Sequence, residues 1–289
     1  MARISIGIPC FNEEAFIAGS LISALQQAEQ TPDIEIIVSD NKSTDQTVEK
    51  IEAVLEAMPK NAPKVRLFKQ QENIGVERNF WHVFDHSDSE LFLWLGAHDQ
   101  ISAGYVSNGL DHLQANSTTS MFCGGHKTLA LSGAVTEQPI IYDFNQENPI
   151  ERYLKSIVEL NNCYIFHSIF RRQVFNGYER KSTPSPDHIL ISRSLWAGKL
   201  WQSQDCHYLR RYFPIESRLA NSRLDHRYVH ASNNVNFYDA YLSDLESLAS
   251  RLSPPIKSSI MQRASELLIN RFGLPFIADA VDGDSAITK

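Results

Sequence analysis

The sequence of 289 residues predicts an α/β fold, a mainly parallel sheet flanked by helices with a helical extension at its C-terminal end. Two observations carry this prediction. Short apolar runs alternate with segments of helical periodicity over the first half of the chain, and helical periodicity returns from Phe237 to Phe272. An alternation of strand and helix gives parallel strands that helices cover on both faces.

The period of the apolar residues and the composition predict four early strands and a helix between the third and the fourth. Isoleucine recurs at every second position from Ile4 to Ile8, which is the period of a strand. The remaining strands are assigned to Ile34 to Val38, Val65 to Phe68 and Leu91 to Leu95, with a helix over Glu77 to His86.

Helix-start signals follow the first two strands. Apolar residues recur every four positions between Glu13 and Gln27, so a helix is predicted there with Asn12 as its N-cap. Ser43 and Gln46 resemble a capping box for a second helix, which stops before Pro59.

The pattern changes after about residue 120. Ser132-Gly133 separates two strand-like runs and predicts a hairpin. These runs are Met121 to Leu131 and Ala134 to Tyr142, and helices are predicted at Pro149 to Leu160, at Asp187 to Ala197, and over Phe237 to Phe272 with a break at Pro254-Pro255.

Composition restricts the class of protein. The formal net charge of -7 argues against a nucleic-acid-binding protein. The four cysteines are scattered without a CxxC pair, which argues against a zinc knuckle or a disulfide scaffold. With no signal peptide and no long apolar stretch, we expect a cytoplasmic protein, and attachment to the inner face of a membrane stays open.

Polar residues follow all four early strands. Because parallel sheets bind ligands beyond the carboxyl ends of their strands, these residues predict a ligand cleft at one rim of the sheet. The candidate site residues in these loops are Phe11, Asn12 and Glu13 after the first strand, Asp40 and Lys42 after the second, Arg78 just inside the helix after the third, and His98 and Asp99 after the fourth.

The turn after the first strand contains no glycine, which excludes a dinucleotide-binding fingerprint, and a P-loop is also absent. A nucleotide in this cleft must therefore be held by side chains. The Asp40 carboxylate suits a base N–H or a ribose hydroxyl, and the phosphates then require cationic side chains or a metal.

Four motifs, taken in order, resemble family 2 glycosyltransferases of the GT-A fold. They are ISIGIPCFNEE (Ile4 to Glu14), IIVSDNKSTDQT (Ile36 to Thr47), ENIGVERNF (Glu72 to Phe80) and FLWLGAHDQISAGYV (Phe92 to Val106). The resemblance is close over about the first 110 residues. Beyond them, FHSIFRRQVF (Phe166 to Phe175) resembles the family's acceptor-side strand and short helix, and SPDHILISRSLWAGK (Ser185 to Lys199) resembles the helix that begins with the catalytic acid.

The sequence departs from the family at the metal motif. Where the family usually has Leu-Asp-Ala-Asp-Asp, this chain has Leu95-Gly96-Ala97-His98-Asp99. His98 and Asp99 are the candidate metal ligands, and an imidazole suits Mn²⁺ better than Mg²⁺. We therefore expect a divalent metal to be weakly held or dispensable, its role passing to cations such as Arg78, Arg171 or Arg172.

The resemblance implies an inverting glycosyltransferase, with Asp187 as general base, that moves a sugar from a nucleotide-sugar donor to a sugar or glycolipid acceptor. His188 is the nearest substitute for the base, and Asp187 also suits a plain helix-start role. Surface polysaccharide or glycoconjugate synthesis is the expected setting. The alternative is a catalytically inactive homologue that still binds sugar nucleotides.

The expected organisation is one GT-A domain and an extension. Residues 1–110 form the nucleotide-sugar-binding half, 111–235 the acceptor-binding half, and 236–289 the C-terminal helices and tail. The basic stretch from Arg218 to His230 is either an acceptor or membrane-facing patch or a solvated loop. Donor sugar, nucleotide base, acceptor, linkage and oligomeric state stay open at this stage.

Overall fold

The computed structural model of the chain describes residues 3–137, 140–181, 183, 185–213 and 234–273. The first four strands are parallel neighbours in the order β3-β2-β1-β4, as the alternation of strand and helix predicts. Every residue of the first strand is buried, as expected when helices cover both faces. The four strands are β1 (Ile4–Cys10), β2 (Ile34–Asp40), β3 (Val65–Lys69) and β4 (Leu91–Trp94).

Five further strands of the described residues complete a mixed sheet in the order β3-β2-β1-β4-β8-β6-β9-β5, with β7 paired to β6. The β6–β7 pair is the predicted hairpin, and β8 lies antiparallel between β4 and β6. The sequence analysis does not predict β9, which runs parallel to β6. These strands are β5 (Gln100–Ile101), β6 (Thr119–Leu129), β7 (Val135–Glu137), β8 (Ile169–Arg171) and β9 (Lys199–Arg211).

Helices cover the sheet and continue at its C-terminal side. A 3₁₀ turn, Ala249–Arg251, separates the last two helices, and Pro254 begins the final one, where its missing N–H costs no helical hydrogen bond. The helices are α1 (Ile17–Gln30), α2 (Thr47–Ala57), α3 (Val76–Asp85), α4 (Tyr105–Ala115), α5 (Pro149–Glu159), α6 (Pro186–Ala197), α7 (Asn234–Leu248) and α8 (Pro254–Phe272). None of these described helices has the length and apolar character to cross a bilayer.

Three apolar clusters hold the layers together. One packs α1, α2 and α4 on one face of the sheet, with Leu21, Ile51 and Leu110 fully or almost fully buried. A second, rich in aromatic rings, lies around Trp94 on the other face. The third joins α5 and α6 to α7 and α8 around Tyr241, so the C-terminal helices are part of a buried core.

The predicted start of the first helix is wrong. Helix α1 begins at Ile17, and Phe16 is its N-cap without any side-chain cap. Asn12 instead has a left-handed φ of 53°, a conformation that asparagine tolerates. Its Oδ1 accepts from the Thr44 amide at 2.8 Å, so this side chain caps the neighbouring loop.

The predicted capping box of the second helix is also wrong. Helix α2 begins at Thr47, with Gln46 as an N-cap that makes no side-chain cap bond. The Ser43 hydroxyl accepts from the Asn12 amide at 2.9 Å, in the loop after β1. Both errors have one cause. Asn12 and Ser43 accept hydrogen bonds from backbone amides of the neighbouring loop instead of capping their own helices, and a local sequence pattern does not show which loops are neighbours.

Candidate active site

The loops after β1 and β2 form one hydrogen-bonded unit at the carboxyl edge of the sheet. Besides the Asn12 contacts, the Glu13 amide donates to Thr47 Oγ1 at 2.7 Å. The Glu14 amide donates to the Asp45 carboxylate at 3.1 Å, and Glu14 Oε2 accepts from the Gln46 amide at 2.9 Å. Phe11, between these contacts, is partly exposed at the same rim.

Asp40 ends β2 inside this unit. The residue is 3% exposed, and its Oδ2 accepts from the Ser43 amide at 3.1 Å. Its Oδ1 accepts from the Cys10 thiol at 3.9 Å and lies 3.4 Å from the Ser43 amide. A carboxylate has roughly four lone-pair sites, so acceptor capacity remains for a ligand. The contact with the Ser43 amide also shows that Asp40 shapes its own turn.

The loop after β3 is tied to the same edge. Asn41 Nδ2 donates to Asn73 Oδ1 at 2.9 Å, and Asn41 Oδ1 accepts from the Ile74 amide at 2.8 Å. Asn79, buried in α3, donates to the Ser39 carbonyl at 3.0 Å. These asparagines therefore join β2, β3 and α3 and hold the rim in place.

Two cations were predicted at this rim. Lys42 has a left-handed φ of 60°, and its ammonium donates to the Gln71 carbonyl at 2.6 Å, which fixes it between the loops after β2 and β3. Arg78 is exposed in the first turn of α3. Neither forms an ion pair within the described residues.

His98, after β4, faces the loop after β1. Its Nδ1 lies 3.2 Å from Glu13 Oε1, and the two side chains are only 18% and 8% exposed. Its Nε2 lies 3.9 Å from Asp99 Oδ1. The structure thus brings together the predicted residues of the first and fourth strands.

Both carboxylate oxygens of Asp99 are engaged by β9. Tyr208 OH donates to Oδ2 at 2.7 Å, and the Arg211 amide donates to Oδ1 at 2.7 Å. Burial alone would raise the pKa of Asp99, but His98, His167, the Tyr208 hydroxyl and the Arg211 amide outweigh it and lower that pKa. Asp99 is therefore a buried anion that fixes β9 against the end of β4.

Asp187 lies in the first turn of α6. Its Oδ1 accepts from the His188 amide at 3.1 Å. Burial raises the pKa of Asp187 above its ordinary value, although the Cys163 thiol, the His188 amide and Arg210 act in the opposite direction. A carboxylate with a raised pKa is a better proton acceptor, which suits the role the family resemblance implies.

Strand β9 supplies three side chains that the sequence analysis did not identify. Tyr208 stacks on His167 with ring centroids 4.5 Å apart. Two residues on, the Arg210 guanidinium lies over the Tyr164 ring, 4.9 Å from its centroid. Arg211 donates to the His98 and Ala130 carbonyls. The only sequence signal for β9 is the weak alternation of Cys206 and Tyr208, which are both buried.

His167 is held as a neutral acceptor next to Asp99. Burial lowers the pKa of His167 to about 4, so the ring is neutral near pH 7. Its Nδ1 lies 2.9 Å from the Trp94 carbonyl and must carry the proton, because a carbonyl only accepts. Nε2 is then left as a hydrogen-bond acceptor.

A family model described as glycosyl transferase family 2 matches residues 5–178, more than half of the chain. This chain belongs to glycosyl transferase family 2. The predicted family and the GT-A fold class are confirmed. The match ends before α6, so it covers the loops that follow β1 to β4 but not Asp187.

One curated relative is a dolichyl N-acetyl-alpha-D-glucosaminyl phosphate 3-beta-D-2,3-diacetamido-2,3-dideoxy-beta-D-glucuronosyltransferase of Methanococcus voltae. It is 27% identical over 114 residues, which are 39% of this chain and 35% of that protein. The chain described here thus matches about a third of the length of this relative.

Two solved structures share the fold. S. aureus TarS 1-349 in complex with UDP-GlcNAc superposes with a TM-score of 0.63 and 14% identity, covering 94% of this chain and 73% of that one. The mannosyltransferase PcManGT from Pyrobaculum calidifontis, in complex with GDP-Man and Mn²⁺, gives a TM-score of 0.58 and 15% identity, covering 94% and 72%. Both neighbours hold a nucleotide-sugar donor.

The metal ligands predicted for this family 2 chain do not fit a divalent cation. Asp99 is 1% exposed with both oxygens engaged, and His98 Nδ1 is paired with Glu13. At Gly96, where the family has its first aspartate, a Cβ would lie 2.5 Å from Asp99 Oδ2. The described residues contain no group of three or more His, Cys, Asp or Glu side chains that suits a metal.

Two of the cations proposed to replace the metal are also corrected. The Arg171 guanidinium donates to the Thr119, Leu113 and Asn116 carbonyls. Arg172 donates to the Phe84 carbonyl and covers the Phe84 ring at 4.5 Å. Both side chains satisfy backbone groups at the ends of helices and strands, so neither is free to bind phosphate. The basic stretch Arg218 to His230 lies outside the described residues.

His188 is not placed as a substitute base. It is 4% exposed and packs against Phe237, Tyr241 and Phe272 in the core between α6 and the C-terminal helices. Both ring nitrogens are buried without a hydrogen-bond partner in the described residues. Burial lowers the pKa of His188 to about 3, so the ring serves packing as a neutral group.

This buried histidine makes acid instability an expected property. In the unfolded chain His188 takes up a proton near pH 6.5, whereas in the folded chain it stays neutral down to about pH 3. The contribution of His188 to folding stability is therefore complete above pH 6.5 and falls as the pH is lowered, by about 5 kcal/mol for the full gap between the two pKa values. We expect His188→Phe to flatten the decrease of melting temperature between pH 6.5 and 4.

A matched control is His86→Gln at the C-cap of α3, a partly exposed histidine whose Nδ1 lies 2.8 Å from the His82 carbonyl. Burial and His86 both lower the pKa of His82, so this variant should change the dependence of melting temperature on pH, but much less than His188→Phe does. A His188→Phe protein with the wild-type dependence would show that His188 does not cause the acid instability.

Proposed function

We propose that this chain is an inverting glycosyltransferase with a nucleotide-sugar donor at the rim of β1, β2 and β4 and Asp187 as general base. The rim residues are Phe11, Asn12, Glu13, Asp40, Lys42, Arg78 and His98. Asp99 stabilises the site indirectly, because it holds β9 in place through Tyr208 and the Arg211 amide. Family membership and two neighbours that hold UDP-GlcNAc and GDP-Man support this proposal.

The chemistry is a single displacement at the anomeric carbon. The Asp187 carboxylate takes the proton of the acceptor hydroxyl as its oxygen forms the new bond to that carbon. The bond from carbon to the β-phosphate oxygen breaks at the same time, and nucleoside diphosphate leaves with the electron pair. Negative charge accumulates on the leaving diphosphate and has to be stabilised electrostatically.

The observation that carries the proposal is the path of β9. Tyr208 reaches Asp99 at the donor side, and Arg210, two residues later, lies over the ring of Tyr164, whose chain neighbour Cys163 is a hydrogen-bond partner of Asp187. Two strand residues span roughly 7 Å. This path supports the proposal that the rim and Asp187 face one reacting centre.

The acceptor is proposed to be a sugar hydroxyl on a glycolipid, in the synthesis of a surface polysaccharide or glycoconjugate. The support is the name of the Methanococcus relative, which describes transfer to a dolichyl phosphate-linked sugar. Residues 111–235 are the proposed acceptor-binding half, and Asp187 belongs to it.

The test is turnover with a panel of UDP-, GDP- and dTDP-sugars and lipid-linked sugar acceptors. We expect one donor to raise the melting temperature by mass action and to be consumed with release of nucleoside diphosphate. Because His98 and Asp99 do not fit a metal, the rate in EDTA should equal the rate with added Mn²⁺. Loss of turnover in EDTA, with recovery at micromolar Mg²⁺, would contradict the metal-independent site.

One alternative is a homologue that binds sugar nucleotides without transferring them. It is favoured by the altered metal motif, in which both oxygens of Asp99 are already engaged by β9. It predicts the same thermal shift but neither transfer nor hydrolysis for any donor. Product release by the wild-type chain and its loss in Asp187→Asn would exclude this alternative.

A further inference from the structure

We propose that Arg210 binds the diphosphate of the donor and supplies the positive charge that the altered metal motif does not provide. This inference rests on the proposed function and adds a residue to it. It depends on the contacts of the arginines, on the position of Arg210 along β9, and on the chemistry of the guanidinium group.

Most arginines of the described residues already have partners. Arg152, Arg193 and Arg271 donate to backbone carbonyls, as Arg171, Arg172 and Arg211 do. Three have no hydrogen bond or ion pair to any described residue, and two of these, Arg78 and Arg251, are exposed. The third is Arg210, which is partly buried and held against the Tyr164 ring.

Tyr164 fixes the direction of this guanidinium. Its ring stacks on His126 with centroids 3.8 Å apart, and the Arg210 guanidinium carbon lies 4.9 Å from the Tyr164 centroid. A guanidinium next to an aromatic ring is held in place while the edges that carry its N–H donors stay open to an anion. None of its nitrogens is among the buried atoms that lack partners.

The position along β9 places Arg210 between the two sides of the site. Alternate residues of a strand share a face, so Arg210 lies on the face of Tyr208. Tyr208 contacts Asp99 and His167 on the donor side, whereas the charge of Arg210 lowers the pKa of Asp187 and of His167. A diphosphate leaving the anomeric carbon would pass between these groups.

A guanidinium suits this task. It stays charged at any working pH and binds phosphate oxygens through two parallel N–H bonds. Of the other nearby cations, Lys42 donates to the Gln71 carbonyl and Arg211 donates to two carbonyls. Arg210 is thus the partly buried arginine of the described cleft whose guanidinium makes no hydrogen bond to another described residue, so all of its N–H donors are left for a ligand.

The test compares nucleoside diphosphates with nucleosides. Binding of UDP, GDP, uridine and guanosine is measured by calorimetry in EDTA with wild type, Arg210→Gln, Arg210→Lys and the exposed, charge-matched control Arg251→Gln. We expect Arg210→Gln to weaken binding of the diphosphate about 10- to 100-fold, the loss of a charge-assisted hydrogen bond, with nucleoside binding unchanged. Arg210→Lys should recover part of the loss, and Arg251→Gln should match wild type.

Equal affinity of wild type and Arg210→Gln for the diphosphate would overturn the role of Arg210 and leave the proposed function standing. An equal loss for diphosphate and nucleoside would also overturn it, since that result indicates a structural role. If wild type binds none of the four compounds and also neither dTDP nor thymidine, the proposed function itself fails, and the role of Arg210 fails with it.

Discussion

Asp187→Asn should lower turnover about 100- to 10,000-fold, the usual effect of losing a positioned general base. The carboxylate lies at the rigid start of α6, where its Oδ1 accepts from the His188 amide at 3.1 Å. Asparagine keeps the shape and can keep this bond. The melting temperature and the affinity for the donor should therefore stay close to wild type.

The raised pKa of Asp187 predicts a specific dependence of the rate on pH. Burial raises this pKa above the ordinary value of a carboxyl, so the base is protonated and inactive over a wider acidic range than an exposed aspartate would be. The rate should fall as the pH decreases through this raised pKa. Asp187→Asn should remove that acidic limb from the remaining activity.

His188→Ala separates catalysis from folding in the same helix. Its ring fills the aromatic core with Phe237, Tyr241 and Phe272, so its loss should lower the melting temperature. Activity of the folded fraction should persist. Full activity in Asp187→Asn, or a loss of turnover in folded His188→Ala equal to that in Asp187→Asn, would rule out Asp187 as the base.

Asp40→Ala should weaken binding of the donor nucleotide by about one to two decades, the loss of a charge-assisted hydrogen bond. Asp40 ends β2 at the centre of the rim, between β1 and β3, and its carboxylate accepts from only one amide of the described residues within 3.2 Å. The remaining lone pairs suit a base N–H or a ribose hydroxyl. Calorimetry with the nucleoside alone measures this contact without the phosphates.

Asp45→Ala is the matched control, because Asp40 also shapes its loop. Asp45 accepts from the Thr47 amide at 3.0 Å and from the Glu14 amide at 3.1 Å. Its removal should lower the melting temperature through the joined loops with little change in nucleotide affinity. If Asp45→Ala weakens nucleotide binding as strongly as Asp40→Ala, loop order rather than a direct contact explains both results.

The early sheet could be predicted because its signals are local. Runs such as Ile4–Cys10 are buried on both faces and read directly as parallel strands, and the polar rim follows from where such strands end. The break between the last two helices is also predicted from a local signal, because Pro254 lacks the backbone N–H that a helix interior requires.

The helix starts were harder to predict. Asn12 and Ser43 have the composition of caps, but in the fold Asn12 satisfies the amide of Thr44 and Ser43 that of Asn12. A side chain that can cap its own helix can equally cap a loop on the next strand. Which of these it does depends on the pairing of β1 with β2.

By itself the sequence determined the family, the α/β class and the rim from Phe11 to Asp99. Only the tertiary structure decided that His98 pairs with Glu13, that Asp99 is engaged by β9, and that Arg210 lies over the Tyr164 ring. The physical reason is distance along the chain. Tyr208 and Asp99 are 109 residues apart, so their hydrogen bond exists only once β9 enters the sheet beside β6.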